Sequence, residues 1–361
     1  MFTQIMVIGI EAERANVREK TGVEHYAKQL ILHLAEIDSE NEYCLYLRTA
    51  PERWFLDLPK NFKLKVLPFP VFWTQLRLSW EMLMHPVDVL FVPASAMPFF
   101  HPKNSVCTIH DLAWDFFPET YTTFIRWYSK FVTWFVVRFS QRLIAVSLST
   151  KNDLIKKYGC DPEKIFVVHH GFQLPQTEAF QSIDLPEKYI LFLSTLQPRK
   201  NLLGLIEAFK KLKLEFPDLP HKLLVVGKPG WKYEAMLESI ESHNGFIVYL
   251  NHISEIHKGE ILKRADLLVL PSFYEGFGMQ ILEAFAAGVP VAASNVSSLP
   301  EVAGDAAIYF NPNNPAEIAQ AVKMVLFDKS LADRLRESGR RQLEKFSWEK
   351  CAKETLAVLE A

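Results

Sequence analysis

The sequence predicts an α/β protein of two doubly wound domains, each a parallel sheet covered by helices on both faces. Three observations carry this. Short continuous apolar runs alternate with amphipathic stretches from end to end, the runs fall into two series, and a polar break at residues 171–188, "GFQLPQTEAFQSIDLPEK", separates the series. An apolar run of about four to eight residues is what a strand buried on both faces looks like, and its alternation with helical patterns implies parallel pairing. The first series is "QIMVIGI", "EYCLYL", "FKLKVL", "VDVLFV", "SVCTIH", "RLIAVS" and "KIFVVHHG". The second is "KYILFLST", "HKLLVVG", "GFIVYL", "ADLLVLPS", "VPVAAS" and "AAIYF". Between them "GVEHYAKQLILHLAEI", "NLLGLIEAFKKLKLEF" and "PAEIAQAVKMVLF" repeat at helical spacing, and "FSWEKCAKETLAVLEA" adds one more amphipathic helix after the second sheet is complete. The expected domains are residues 1–172 and 173–345, with 346–361 as the extra helix.

Composition narrows the function. A chain of 361 residues suits two cores, and 49% hydrophobic with 23% charged residues is globular rather than disordered. A formal net charge of −2 gives no global reason to expect a nucleic-acid partner. Cys44, Cys107, Cys160 and Cys351 are too dispersed for a zinc site or a disulfide framework, and fit a reducing cytosol. The start reads as a strand, not a signal peptide. The most apolar later stretch, "FVTWFVVRFSQRLIAV", is interrupted by Arg138 and Arg142 and is too short to span a bilayer, so the expected protein is soluble and cytoplasmic, or peripheral on a membrane.

Four segments carry candidate chemistry. In "PSFYEGFGMQILEAFAAGVP" a buried strand delivers Glu275 to a Gly276-Phe277-Gly278 turn that opens a helix at Met279, with Glu283 more than one turn further in. Ligands of open α/β sheets bind beyond the carboxyl ends of strands, and a glycine turn opening a helix there offers backbone N–H groups to a phosphate. The alternative is that Glu275 caps the helix and Glu283 is a solvated surface residue. In "LFLSTLQPRKNLLGLIEAF" Arg199 and Lys200 stand at a helix start, where cations are electrostatically misplaced unless an anion sits beside them. A diphosphate shared with the Gly276 turn would supply one; a solvated basic turn is the alternative. "CTIHDLAWDFFPE" brings His110 and Asp111 to a strand end, either to contact a sugar and exchange a proton or as a packed His and a capping Asp. Gly22 opens the first helix. His169 and His170, near another strand end, read as structural. There is no G-x-G-x-x-G, P-loop, H-E-x-x-H or G-x-S-x-G, so neither a dinucleotide cofactor nor a metal is expected.

Together these segments resemble the family 4 glycosyltransferases, retaining enzymes of the GT-B fold, along nearly the whole chain. "EGFGMQILEAFAAGVPVAASNVSSLPEVAGDAAIYFNPNNPAEIAQAV" is similar to that family's donor-site block, with its E-x7-E signature as Glu275 and Glu283; "STLQPRKNL", "TIHDLAWDFFPE", "AVSLSTKNDL" and "FSWEKCAKETL" are similar to other recurring segments. The resemblance implies a nucleotide-sugar donor and a saccharide or lipid-linked saccharide acceptor, with no cofactor and no metal. It places Glu275 at the donor sugar and Glu283 at the ribose. The amides of Gly276, Phe277, Gly278 and Met279 would hold the sugar and diphosphate, and Arg199 and Lys200 would neutralise the leaving diphosphate. Gly22 would approach the phosphates from the first domain, His110 and Asp111 would line the sugar and acceptor side, and His252 and Ile253 would meet the nucleobase. The last helix would cross back onto the first domain. Two departures stand out: Ser194-Thr195 where many members carry a cation, and Gln280 where the signature commonly has proline. "TIHDLAWDFFPE" is most similar to mannosyltransferase members, so the expected donor is GDP-mannose, with a UDP-glucose or UDP-N-acetylglucosamine enzyme, a nucleotide-sugar 2-epimerase and an inert sugar-nucleotide-binding scaffold as the other readings.

Two aromatic-rich segments of the first domain, "LPFPVFWTQLRLSWEMLMHP" and "FIRWYSKFVTWFVVRFSQR", are interspersed with cations. Core helices packing on the sheet and peripheral contact with a bilayer are both compatible with them.

Overall fold

The computed structural model describes residues 5–17, 22–173, 183–251 and 253–361. They divide into two compact units, one of Met1–Asp115, Thr123–Gly171 and Phe346–Ala361 and the other of Phe116–Thr122 and Phe172–Lys345. The segment Phe116–Thr122, assigned to the first domain from sequence, thus belongs with the second unit. The reason is aromatic packing: Phe116 stacks on Tyr274 with ring centroids 4.9 Å apart, and Phe117 on Phe273 at 6.3 Å.

The first unit runs β1 Val7–Glu11, α1 Gly22–Ile37, β2 Glu42–Leu47, β3 Phe62–Val66, α2 Ser79–Met84, β4 Val89–Val92, β5 Ser105–Ile109, the single turn α3 Ala113–Phe116 at the unit boundary, α4 Thr123–Phe139, β6 Arg142–Ala145, α5 Leu148–Tyr158 and β7 Ile165–Val167. Its seven strands pair in parallel in the order β3-β2-β1-β4-β5-β6-β7. All of β4 and β5 is buried, as strands covered on both faces must be.

The second unit runs β8 Tyr189–Leu193, α6 Leu202–Glu215, β9 Lys222–Val226, α7 Glu234–Ser242, β10 Ile247–Leu250, α8 Glu255–Arg264, β11 Leu267–Leu270, α9 Met279–Ala286, β12 Val291–Ser294, α10 Leu299–Ala303, β13 Ala307–Phe310, α11 Pro315–Phe327 and α12 Lys329–Leu343. Its parallel sheet has the order β10-β9-β8-β11-β12-β13. Strand order reverses between β8 and β11, which pair through Leu267↔Ile190 and Leu268↔Leu191. Loops leaving the carboxyl ends of the two strands at such a reversal are neighbours, however far apart they lie in sequence.

The last helix, α13 Trp348–Glu360, belongs to the first unit and packs along α1. It buries Trp348, Cys351, Ala352, Thr355, Val358 and Leu359, a stripe at helical spacing, while α1 presents Tyr26, Ala27, Leu30, Ile31 and Leu34. Ser347 caps α13 by accepting from Lys350 N at 3.1 Å. Its docking depends on Gly171, where a Cβ would lie 2.1 Å from Trp348 N. Gly171→Ala is therefore expected to lower stability by about 1–3 kcal/mol through overpacking. The expected sign is faster protease cleavage within residues 346–361 at an unchanged rate elsewhere, read by limited proteolysis and mass spectrometry.

Candidate functional site

The cations at the start of α6 have their anion, and it is part of the protein. A single 3₁₀ turn, Pro198–Lys200, follows β8, and Asn201 in the left-handed conformation (φ 56°) separates it from α6. Asn201 is pinned there by its side-chain amide, which donates to Pro271 O at 3.1 Å and Pro312 O at 2.8 Å. The turn thereby aims Lys200 at the loop leaving β11. Lys200 Nζ donates to Glu275 Oε1 at 2.6 Å and Oε2 at 2.7 Å, and Arg199 Nη1 to Oε2 at 3.3 Å. Arg199 also donates to Tyr274 O at 3.0 Å, and its own carbonyl accepts from Phe273 N at 2.8 Å.

Glu275 and Lys200 are only 6% exposed each. Burial alone would raise the Glu275 pKa, but Lys200, then Arg199, and the Ser272 hydroxyl at 2.7 Å from Oε1 hold it below the ordinary carboxylate value. Glu275 is thus an ionised carboxylate held between two cations. The backbone around it is fixed by two serines that the sequence reading missed. Glu275 N donates to Ser297 Oγ at 3.0 Å, and the Ser298 hydroxyl lies 2.9 Å from the carbonyl oxygens of both Glu275 and Phe277. Ser297 holds a positive φ of 51°, a strained conformation for a residue with a side chain. Neither serine carries a spacing that ties it to Glu275, and only the loop following β12 brings them here.

The turn into α9 is as tight as its glycines suggest. Gly278 has φ 99°, and a Cβ on it would come within 2.8 Å of Leu299 Cδ2. Gly276, Phe277 and Gly278 are buried and Met279 begins the helix, so Gln280 in place of a proline does not prevent it from forming. No side chain caps α9, leaving its positive end without a carboxylate of its own at the cap position.

Glu283 is not the solvated surface residue of the alternative reading. Its side chain is 11% exposed and Oε1 accepts from Lys258 Nζ on α8 at 2.5 Å. Lys258 was another omission; it lies 25 residues away on a different helix and no spacing rule connects the two. Ile253 is half-buried just before Ser254, which caps α8, and His252 lies outside the described residues. At the end of β8, Thr195 is exposed and Ser194 O is crowded by Gly227, where a Cβ would lie 1.8 Å from it.

In the first unit, His110 is buried at the end of β5. Its Nε2 is 2.9 Å from Pro93 O, which can only accept, so Nε2 carries the proton and Nδ1 is the acceptor in the neutral ring. Burial lowers its pKa despite Pro93 and Asp111. The rings of Tyr26 and His170 pack at 4.9 and 5.4 Å. Asp111 takes the capping role: its Oδ1 accepts from Ala113 N at 3.0 Å. Both residues also line a pocket of about 300 Å³ with Arg14, Glu24, Ser95 and Trp114. Gly22 is exposed at the start of α1, with nothing within 4 Å of a Cβ, and its neighbour Val23 lines the same pocket.

Comparison with known proteins agrees along the chain. The family model "Glycosyltransferase Family 4" matches residues 20–174 and "Glycosyl transferases group 1" matches residues 175–342. The O-antigen chain mannosyltransferase B of Escherichia coli is 34% identical over 219 residues, 60% of this chain and 54% of that protein. The O-antigen chain mannosyltransferase RfbU of Salmonella typhimurium is 26% identical over 225 residues, 62% of this chain and 61% of that one. The chain thus spans about half to three fifths of the length of these curated relatives. Among solved structures, the sucrose-phosphate synthase of Thermosynechococcus elongatus superposes with a TM-score of 0.76 at 18% identity, covering 98% of both chains. Anabaena HepE in complex with UDP and glucose gives 0.73 at 17% identity, covering 99% of this chain and all of that one. These structures share the GT-B fold.

Two measurements check the electrostatics. Lys200→Met leaves a buried carboxylate without its closest partner and should destabilise the second unit by roughly 3–5 kcal/mol, whereas Lys200→Met with Glu275→Leu should recover much of that loss; urea unfolding of the three proteins reads it. The His110 pKa is lowered, so the unfolded chain takes up the proton first as pH falls. Stability from that site is full above the ordinary histidine pKa near 6.5 and declines below it. His110→Gln, which can still donate to Pro93 O, should flatten the fall in melting temperature between about pH 6.5 and 5.

Proposed function

The chain belongs to the family 4 glycosyltransferases, and from that premise we propose that it transfers mannose from GDP-mannose to a saccharide or lipid-linked saccharide, with retention of configuration and without a metal. The observation that carries this reading is the Glu275–Lys200–Arg199 cluster against the Gly276–Met279 turn. Two cations held at fixed positions beside a glycine turn that opens α9 are complementary to a leaving nucleoside diphosphate. The mannosyltransferases of Escherichia coli and Salmonella typhimurium among the relatives support mannose as the sugar.

Each residue then has a task. Arg199 and Lys200 stabilise the diphosphate as it departs, jointly with the backbone of Gly276, Phe277, Gly278 and Met279. Glu275 holds the two cations in place and meets the sugar, whose developing positive charge its ionised carboxylate favours. Glu283, steadied by Lys258, accepts from the ribose hydroxyls, and the Ile253 segment borders the base. In the first unit, the pocket that holds Asp111 and neutral His110 receives the acceptor. Departure of the diphosphate leaves a phosphate oxygen to take the acceptor's proton, so no protein base is needed on that face. The wide separation of roles distinguishes Glu275 and Glu283 from the carboxylate pair of a glycosidase.

Incubation with GDP-mannose, UDP-glucose and UDP-N-acetylglucosamine over an acceptor panel tests the reading; turnover with a UDP-sugar alone would replace the donor, and tight nucleotide binding with no turnover would favour the inert scaffold. Glu275→Ala is expected to reduce transfer at least 10²-fold while GDP affinity stays within a few-fold. Glu283→Ala should weaken GDP binding by about 10-fold, the loss of a charged hydrogen bond. Titration calorimetry reporting the opposite pattern would overturn this assignment. Full activity in excess EDTA is expected, and complete loss there would contradict the metal-free scheme.

A further inference from the structure

The first unit carries a broad apolar face that its core does not use. α4 turns Val132, Thr133, Val136 and Val137 inward and leaves Phe124, Ile125, Trp127, Trp134 and Phe139 exposed, Phe124 and Trp127 by 66% and 63%. Beside it a turn of π-helix, Thr74–Leu78, runs into α2 and exposes Phe72, Leu76 and Trp80, and the loop beyond β4 exposes Phe99 and Phe100. These are not scattered residues. Phe72, Leu76, Phe99, Phe124, Trp127 and Phe131 line one groove of about 300 Å³, and Gln75 Nε2 ties it together by donating to Tyr128 OH at 3.0 Å. Rings continue from the groove along α4, Phe131 to Trp134 at 6.1 Å and Trp134 to Phe139 at 5.9 Å. Of the two readings left open by the sequence, core packing accounts only for the inner faces of these helices. A contiguous exposed patch of this kind marks an interaction surface.

Charge selects the partner. Residues 123–142 and 93–104 contain no Asp or Glu, while Arg126, Arg138 and Lys103 are exposed among the rings. Glu81, the acid of α2, is buried and neutralised by Lys65 and Arg77. The Arg138 guanidinium lies over the Phe139 ring at 5.6 Å, its charge outward of an apolar body. Tryptophans and phenylalanines with interspersed arginines and no exposed acid match the boundary between acyl chains and anionic headgroups. Among the described residues no helix is long and apolar enough to cross a membrane, so such a face would lie in the interface.

We propose that this face of α4, the π-turn and the loop beyond β4 docks the protein on an anionic lipid bilayer. The groove shares Tyr128 and Val132 with the pocket that holds His110 and Asp111. On the transferase reading, an acceptor whose lipid chain enters the groove from the bilayer presents its saccharide to that pocket. The docking itself does not need that reading, because it is measured without donor or turnover.

Co-sedimentation with vesicles of equal parts phosphatidylglycerol and phosphatidylcholine tests it. Binding is expected there, at least roughly tenfold weaker on pure phosphatidylcholine, and reduced by salt. Phe124→Ser with Trp127→Ser should abolish it, and Arg126→Glu with Arg138→Glu should remove the preference for anionic vesicles. All four substitutions are at exposed positions, so unchanged melting temperature and circular dichroism are expected. No binding to the anionic vesicles, or binding that survives the apolar double variant, would overturn the proposal. So would a dimer in light scattering that the apolar double variant converts to monomer in a protein that ignores vesicles, since the face would then belong to a second copy.

Discussion

A carboxylate buried with two cations imposes conditions on everything around it. Glu275 can remain ionised at 6% exposure only because Lys200 and Arg199 meet it with near-contact hydrogen bonds, and those bonds exist only if two loops arrive in register. β8 and β11 must therefore be neighbours, Asn201 must hold its left-handed conformation to aim Lys200, and Ser297 must accept strain to support the Glu275 amide. The strain and the buried charge are costs that packing elsewhere in the sheet offsets. Their concentration in one place is what a ligand site looks like, since a core built for stability alone would be better served by hydrophobic residues of similar volume.

The pairing also refines the electrostatic argument for a phosphate. Cations at a helix start imply an anion nearby, but that anion is first of all Glu275. The start of α9 beside it is a glycine turn with no side-chain cap from Gly278. On the proposed reading, a diphosphate would enter a network that already exists, with little reorganisation on binding, and the same preorganisation would favour charge that develops as it leaves. Glu283 and Lys258 repeat the device on a smaller scale one helical turn and more away.

How much of this was legible varies from residue to residue. Glu275, Gly276, Gly278, Arg199 and Lys200 could be selected from the sequence because each stands at a strand-to-helix junction, where local chemistry is distinctive. Ser297, Ser298, Asn201 and Lys258 could not, because serine, asparagine and lysine carry no local signal and act here only through partners 21 to 111 residues distant. The aromatic helices mark a different limit. The stretch that forms α4 is aromatic with interspersed cations, which suits a core helix and a bilayer contact alike, so sequence alone left both readings open. Similarly, the segment Phe116–Thr122 reads as a continuation of the first domain until its rings are seen on Tyr274 and Phe273.

Length, the two series of apolar runs and the strand–turn–helix junctions were enough by themselves to determine two parallel α/β sheets and the loops on which a ligand site would lie, because burial on both faces and backbone turning are local constraints written in residue type. Which loops meet, which carboxylate is paired, and which apolar surface is left uncovered depended on strand order and helix rotation. Those are set by long-range packing, in which residues far apart in sequence compete for the same neighbours, and only the folded chain decides the outcome.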